Sequence, residues 1–137
     1  MAIEREIIAI SQHQVWIDEP FTLVCDLNGE VTGDDLRQMR EVLDYVGAGN
    51  GPIIVMQNLS KATSFSSAAR KGILDDERTR RVVSVICIAA SFQMRVIMTM
   101  IMKAMKLIDT PVPNMLFADN ETKARELLAQ ERARLQK

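Results

Sequence analysis

Histidine, tryptophan and tyrosine each occur once in these 137 residues, and cysteine only twice. With His13 as the one imidazole, a nucleophile has almost no choice of base, and His13, on an expected hairpin, reads as a structural or surface residue rather than a catalytic one. Cys25 and Cys87 each lie in an apolar stretch with no Cys or His at zinc-ligand spacing, so both read as buried thiols rather than metal ligands. An excess of charge is missing as well. Seventeen Lys and Arg against 18 Asp and Glu leave a net charge of -1 and a pI of about 5.8, with the two signs interspersed, which argues against nucleic acid and against a polybasic membrane anchor. The opening Met1-Ala2-Ile3-Glu4-Arg5-Glu6 carries acids where an export signal is basic and then apolar, so a cytoplasmic location is expected. No repeat, low-complexity tract or linker divides residues 1–137, which read as one domain. A clean membrane span is also lacking. Val82 to Met102 nearly reaches the roughly 20 apolar residues a spanning helix needs, but Gln93 and Arg95 interrupt it. Strand followed by helix fits that window better than membrane insertion.

What is present alternates. Glu6 to Ile10 and Val15 to Ile17 flank Ser11-Gln12-His13-Gln14 as an opening hairpin, and Phe21 to Leu27 reads as a third strand closing at Asn28-Gly29. Thr32 stands three residues before Asp35, the spacing of a capping box, and Leu36, Met39, Val42, Leu43 and Val46 recur at helical steps while Arg37, Arg40, Glu41 and Asp44 point elsewhere. Gly47, Gly49 and Gly51 then follow a helix and precede a strand, the reverse of a phosphate loop, and read as a stop signal. Ile53 to Met56 and Val82 to Ala90 are continuous apolar runs, as strands buried on both faces require. A second helix is expected from about Ser64 to Arg78, a Met-rich third helix after Ser91, a short strand at Met115 to Phe117, and a last helix from Asn120 carrying Ala124, Leu127, Leu128 and Leu135. The order predicts an α/β fold in which an N-terminal antiparallel hairpin joins a mixed, centrally parallel sheet covered by about four helices.

On a helical wheel of the third helix, Arg95, Thr99, Lys103 and Lys106 share one narrow face, and Ile97, Ile101, Ala104 and Ile108 lie opposite as the expected sheet-facing row. Met98, Met102 and Met105 fall between as a flank. Either neighbouring helices cover it, methionine being a tolerant filler, or it forms a docking face for a protein partner, a second copy in a homodimer, or an apolar ligand. The acidic groups Asp18-Glu19 and Asp75-Asp76-Glu77 read as turn solvation and helix-end charge. No catalytic constellation and no cofactor site stands out.

Asn58 to Arg70 leaves a buried strand and enters a helix, where free amides and the helix dipole favour an anion. Thr63, Ser64, Ser66 and Ser67 crowd that terminus. Ser64 is the expected cap, and phosphorylation here would add nearly two negative charges beside Arg70 and Lys71.

Ile53-Ile54-Val55-Met56-Gln57-Asn58-Leu59-Ser60 with the serine loop resembles the strand and the D-L-S and D-S-S-G segments of STAS domains, the fold of bacterial anti-sigma-factor antagonists. Gly29-Glu30-Val31-Thr32, the run from Ala90 to Ala104, and Phe117 followed by Glu121, Ala124 and Arg125 are similar to the SpoIIAA-like group of single-domain bacterial STAS proteins. The resemblance covers most of the chain. It implies a non-enzymatic regulatory or protein-interaction module recognising its partner through the Ser64 to Arg70 helix start and the helix over residues 91–108. It also implies that Ser67 occupies the switch-serine position, with Ser66 at the acidic position and Ala69 near the glycine. Because that group is similar in fold to lipid-transfer domains of the CRAL-TRIO type, the alternative is a carrier or sensor of a small apolar ligand, with Met98, Met102 and Met105 lining the pocket.

Overall fold

Short β-branched runs around a polar turn form the expected hairpin: β1 (Ile8–Ile10) pairs antiparallel with β2 (His13–Asp18), Ile8 opposite Val15 and Ile10 opposite His13. The structure is a computed structural model describing residues 6–137, so most of the acidic opening segment read against export lies outside the described residues. Strand β3 (Thr22–Val31) pairs with β2 and runs on through Asn28-Gly29, where closure was expected. Its register against the next strand shifts at Asp26/Asn28 and again at Gly29/Glu30. Gly29, at φ +77°, accommodates the irregularity without a side-chain penalty, so the strand bends and continues.

The capping box is present at the start of α1 (Gly33–Leu43). The Asp35 N–H donates to Thr32 Oγ1 at 3.1 Å, and the Thr32 N–H donates to Asp35 Oδ2 at 3.1 Å. Leu36, Met39, Val42 and Leu43 face the sheet as their spacing predicts. Arg40 does not point away, as expected, but is only 9% exposed. Left-handed Gly47 and Ala48 end the segment in a short 3-10 turn.

Strand β4 (Ile53–Phe65) is three times the length of its apolar nucleus, because the β3 overhang offers a ladder for it: Glu30 lies opposite Ser64 and Val31 opposite Phe65. That pairing corrects the expected second helix over residues 64–78. Ser64 is extended, α2 spans Ser67–Asp75, and Ser66 is the cap, accepting from the Ala69 N–H at 3.1 Å. A 3-10 turn at Glu77–Arg81 replaces the last expected helical turn, with the Asp76 carboxylate accepting from the Arg78 N–H at 2.8 Å. Then follow β5 (Val82–Ile88), α3 (Phe92–Leu107) capped by Ser91, β6 (Asn114–Ala118), and α4 (Glu121–Leu135) capped by Asn120.

The six strands lie in chain order, antiparallel from β1 to β3 and parallel from β3 to β6. Helices α1, α2 and α3 share one face, over a core that includes Leu23, Cys25 and Ile53; α4 covers the other, with Ala124 and Leu128 among Val24, Ile54 and Ile86. The alternation of Leu23, Val24 and Cys25 between the two clusters is the period of two that places successive side chains on opposite faces. Close approach of α1 to α2 is set by Gly33, where an added Cβ would stand 2.8 Å from the Ala68 Cβ. Arg132 fastens α4 to the β2–β3 turn, donating from Nη2 to Asp18 O at 2.5 Å and from Nε to Pro20 O at 3.1 Å.

Helix α3 sits rotated by roughly 60° from the expected orientation, taking about 100° per residue. Met94, Met98, Ile101 and Met105 are the buried row, while Ile108 is half exposed and Ile97 and Ala104 lie at the sides. Met98 (3% exposed) and Met105 (4%) therefore belong to the core, and Met102 is partly buried, so an outward homodimer flank built from these three is corrected. That buried row is itself an apolar repeat at steps of four, three and four, and beside it the Arg95 guanidinium lies over the Phe117 ring of β6 at 4.5 Å from the centroid, with Nε donating to Ala90 O at 3.5 Å. A cation–π contact of this kind holds Arg95 against the sheet edge, while Thr99, Lys103 and Lys106 of the same polar row stay exposed. The outward face also carries the exposed apolar side chains of Phe92, Val96, Met100 and Leu107.

Candidate functional site

Parallel strands β4 and β5 send α2 and α3 off from their carboxyl ends, the end at which open α/β sheets bind ligands. Ser67 is the first residue of α2 and is exposed. Ser66, partly buried, is committed to capping, and Arg70 lies one turn further on, its N–H donating to Ser66 O at 3.0 Å. Ser64 stands apart on β4, donating from Oγ to Glu30 Oε2 at 3.2 Å. The structure thus brings Ser66, Ser67 and Arg70 together at one helix start and leaves Ser64 on the strand that leads to it. Ala69, near the family's glycine position, is fully buried against the core.

The polar groups singled out in the sequence are engaged elsewhere. His13 is fully buried: the Asn28 N–H donates to Nδ1 at 2.9 Å, which leaves the ring proton on Nε2, 3.2 Å from Asp35 Oδ2. Ser11 Oγ donates to Asp35 Oδ1 at 2.5 Å, so Ser, His and Asp gather, but the hydroxyl meets the carboxylate and not the imidazole. That is the wrong order for activating a nucleophile. Burial pushes the Asp35 carboxyl up, yet the hydrogen bonds from Ser11, Thr32 and His13 together hold it below its ordinary 3.8. Asp18 pairs with Arg125 at 3.1 Å, and Glu19 accepts from the Phe21 and Gly47 N–H groups. Burial pushes the Cys25 thiol up to about 12 and the Cys87 thiol to about 11, so both stay protonated and unreactive.

Between α1, α3 and the sheet lies an apolar cleft of about 100 Å³, lined in part by Met98, Met102 and Met105. Arg40 also lines it, and its Nη1 is buried without a hydrogen-bond partner. Sequence reasoning missed Arg40 because its helical position, between Met39 and Glu41, falls near the edge of the polar face.

No protein-family model and no curated protein matches the chain. Among solved structures, it is similar to the anti-sigma factor antagonist SpoIIAA in its unphosphorylated form, at 20% identity and a TM-score of 0.51 over 89% of this chain and 97% of that one. It is also similar to an uncharacterized DUF3478-family protein with a SpoIIAA-like fold from Shewanella loihica, at 18% identity and a TM-score of 0.55 over 91% and 92% of the two chains. The chain has the SpoIIAA-like fold of STAS domains, with the hairpin, the parallel strands and four helices in the expected order. Among the described residues, no helix is long and apolar enough to cross a membrane.

Proposed function

We propose that this chain is a non-enzymatic regulatory module, a single STAS-like domain that binds a protein partner through the start of α2 and the outward face of α3. The observation that carries this reading is Ser67: exposed, at the first position of a capped helix, at the end of the sheet from which both helices depart. A helix N-terminus favours negative charge, so a phosphate on Ser67 would be tolerated by the fold and read by the partner, with Arg70 one turn away. SpoIIAA, whose fold this chain shares, is described as an anti-sigma factor antagonist with an unphosphorylated form. The exposed Phe92 (83%) and Val96 on α3 offer apolar contact area to such a partner. Chemistry of its own has little support in the residues, since the one imidazole is enclosed and both thiols are protonated.

The reading is tested by pull-down from the native host with the parent, Ser67→Ala and Ser67→Asp, each checked for an unchanged circular dichroism spectrum. A partner recovered differently by Ser67→Asp and Ser67→Ala is the expected result. Equal recovery by all three removes Ser67 from the recognition surface.

A further inference from the structure

Among the described residues, Arg40 is the one lining residue of the α1–α3 cleft with a formal positive charge, and no hydrogen bond satisfies its buried Nη1. It is 9% exposed, and among the described residues no ion pair within 4 Å reaches its guanidinium. A buried charge is ordinarily paired, because desolvation costs several kcal/mol in the absence of a counter-ion. Burial pushes the Arg40 guanidinium below its usual value, and the charge of Asp76 opposes this from nearby. The Asp76 carboxylate is itself held by Arg78, accepting from Nη1 at 3.2 Å and from the backbone N–H at 2.8 Å. The neighbouring Cys25 is a protonated thiol and offers no anion. The other polar lining groups are occupied: Thr79 Oγ1 donates to Ile73 O at 2.5 Å, and Gln57 Nε2 reaches the sulfurs of Cys87 and Met98 at 3.4 Å.

We infer that the cleft binds a small aliphatic carboxylate, its hydrocarbon tail among Met98, Ile101, Met102 and Met105 and its carboxylate paired with the Arg40 guanidinium. A planar guanidinium fits a carboxylate through parallel N–H donors, and one such pair would supply the acceptor that Nη1 lacks. The methionines give the walls the flexibility to close on a short chain. The volume of about 100 Å³ sets the size. A void of roughly 150 Å³ takes benzene, so the tail here is limited to about four or five carbons. A single guanidinium that already feels the Asp76 charge matches one negative charge better than the two of a phosphate monoester. This site is independent of the Ser67 surface, and the failure of either leaves the other standing.

Calorimetric titration of the full chain with 4-methylpentanoate and with 4-methylpentanamide, which keeps the shape and removes the charge, tests the pairing. The parent is expected to bind the acid at least about tenfold more tightly than the amide, as a charge-assisted hydrogen bond in place of a neutral one allows. Arg40→Leu removes an unpaired buried charge and is expected to fold and to bind the two compounds equally. No binding of the acid, equal binding of both by the parent, or a persisting acid preference in Arg40→Leu overturns the inference. If Arg40→Leu does not fold, Met102→Phe decides, because the larger ring narrows the cleft from its partly exposed side. Weakened acid binding is then the expected result, and unchanged binding overturns the site.

Discussion

Asp35 carries more of this fold than its position at a helix start implies. Its two oxygens serve the helix cap, the His13 ring and the Ser11 hydroxyl, joining the β1–β2 hairpin to α1 across 22 and 24 residues of sequence. Asp35→Ala removes a cap and strands a buried imidazole, and is expected to cost about 3 kcal/mol in urea unfolding. A loss within the range of an ordinary surface substitution would show that the hairpin is held by apolar contacts alone. The same residue predicts a pH dependence. Its carboxyl titrates lower in the folded chain than its ordinary 3.8, so the unfolded chain takes up the proton first as pH falls. The Asp35 contribution is therefore complete above about pH 5, declines as the unfolded carboxyl titrates, and is gone once the folded carboxyl is protonated. Asp35→Asn should flatten the acid limb of a stability-against-pH curve, and an unchanged limb would assign acid lability to other groups.

At the scale of the element, α3 separates two kinds of methionine that hydrophobicity alone cannot distinguish. Met98 and Met105 pack in the core and Met100 is half exposed on the opposite side. Met98→Gln and Met105→Gln each place an amide in an apolar site and are expected to destabilise by roughly 2–4 kcal/mol, whereas Met100→Gln should stay within about 0.5 kcal/mol of the parent. Thermal denaturation of the three variants checks the helix orientation. A reversed ranking would return α3 to the rotation read from the wheel.

For the whole molecule, the two faces of the sheet are unequally protected. Three helices shield one, whereas Val24, Ile54, Met56 and Ile86 on the other rest chiefly under α4. A chain ending at Asn120 exposes that apolar face of a parallel sheet, an arrangement that occurs almost only with both faces covered. It is expected to aggregate or to lose cooperative unfolding, as gel filtration and calorimetry would show. A monomeric, cooperatively melting truncation would mean that α1 to α3 and the sheet form a sufficient core.

Much of this architecture is legible from local signals. Apolar runs between breakers, the Thr32–Asp35 pair, Ser91 as a cap, the start of the last helix near Asn120, and the opening hairpin each depend on neighbours a few residues apart, and each is found in the structure. What the sequence leaves open are quantities set by distant partners. The extra length of β4, and with it the shift of the cap from Ser64 to Ser66, exists because β3 offers Val31 as a partner to Phe65 across 34 residues. The rotation of α3 is a choice between two apolar rows within residues 91–108, Ile97–Ile101–Ala104–Ile108 and Met94–Met98–Ile101–Met105, and only packing against the sheet selects the second. The burial of Arg40 follows from how closely α1 approaches the sheet and α2, a spacing that the Gly33–Ala68 contact helps to set. Backbone propensity and capping act within one turn, whereas the registry of a strand, the rotation of a helix and the fate of a single charge are settled only when the layers pack.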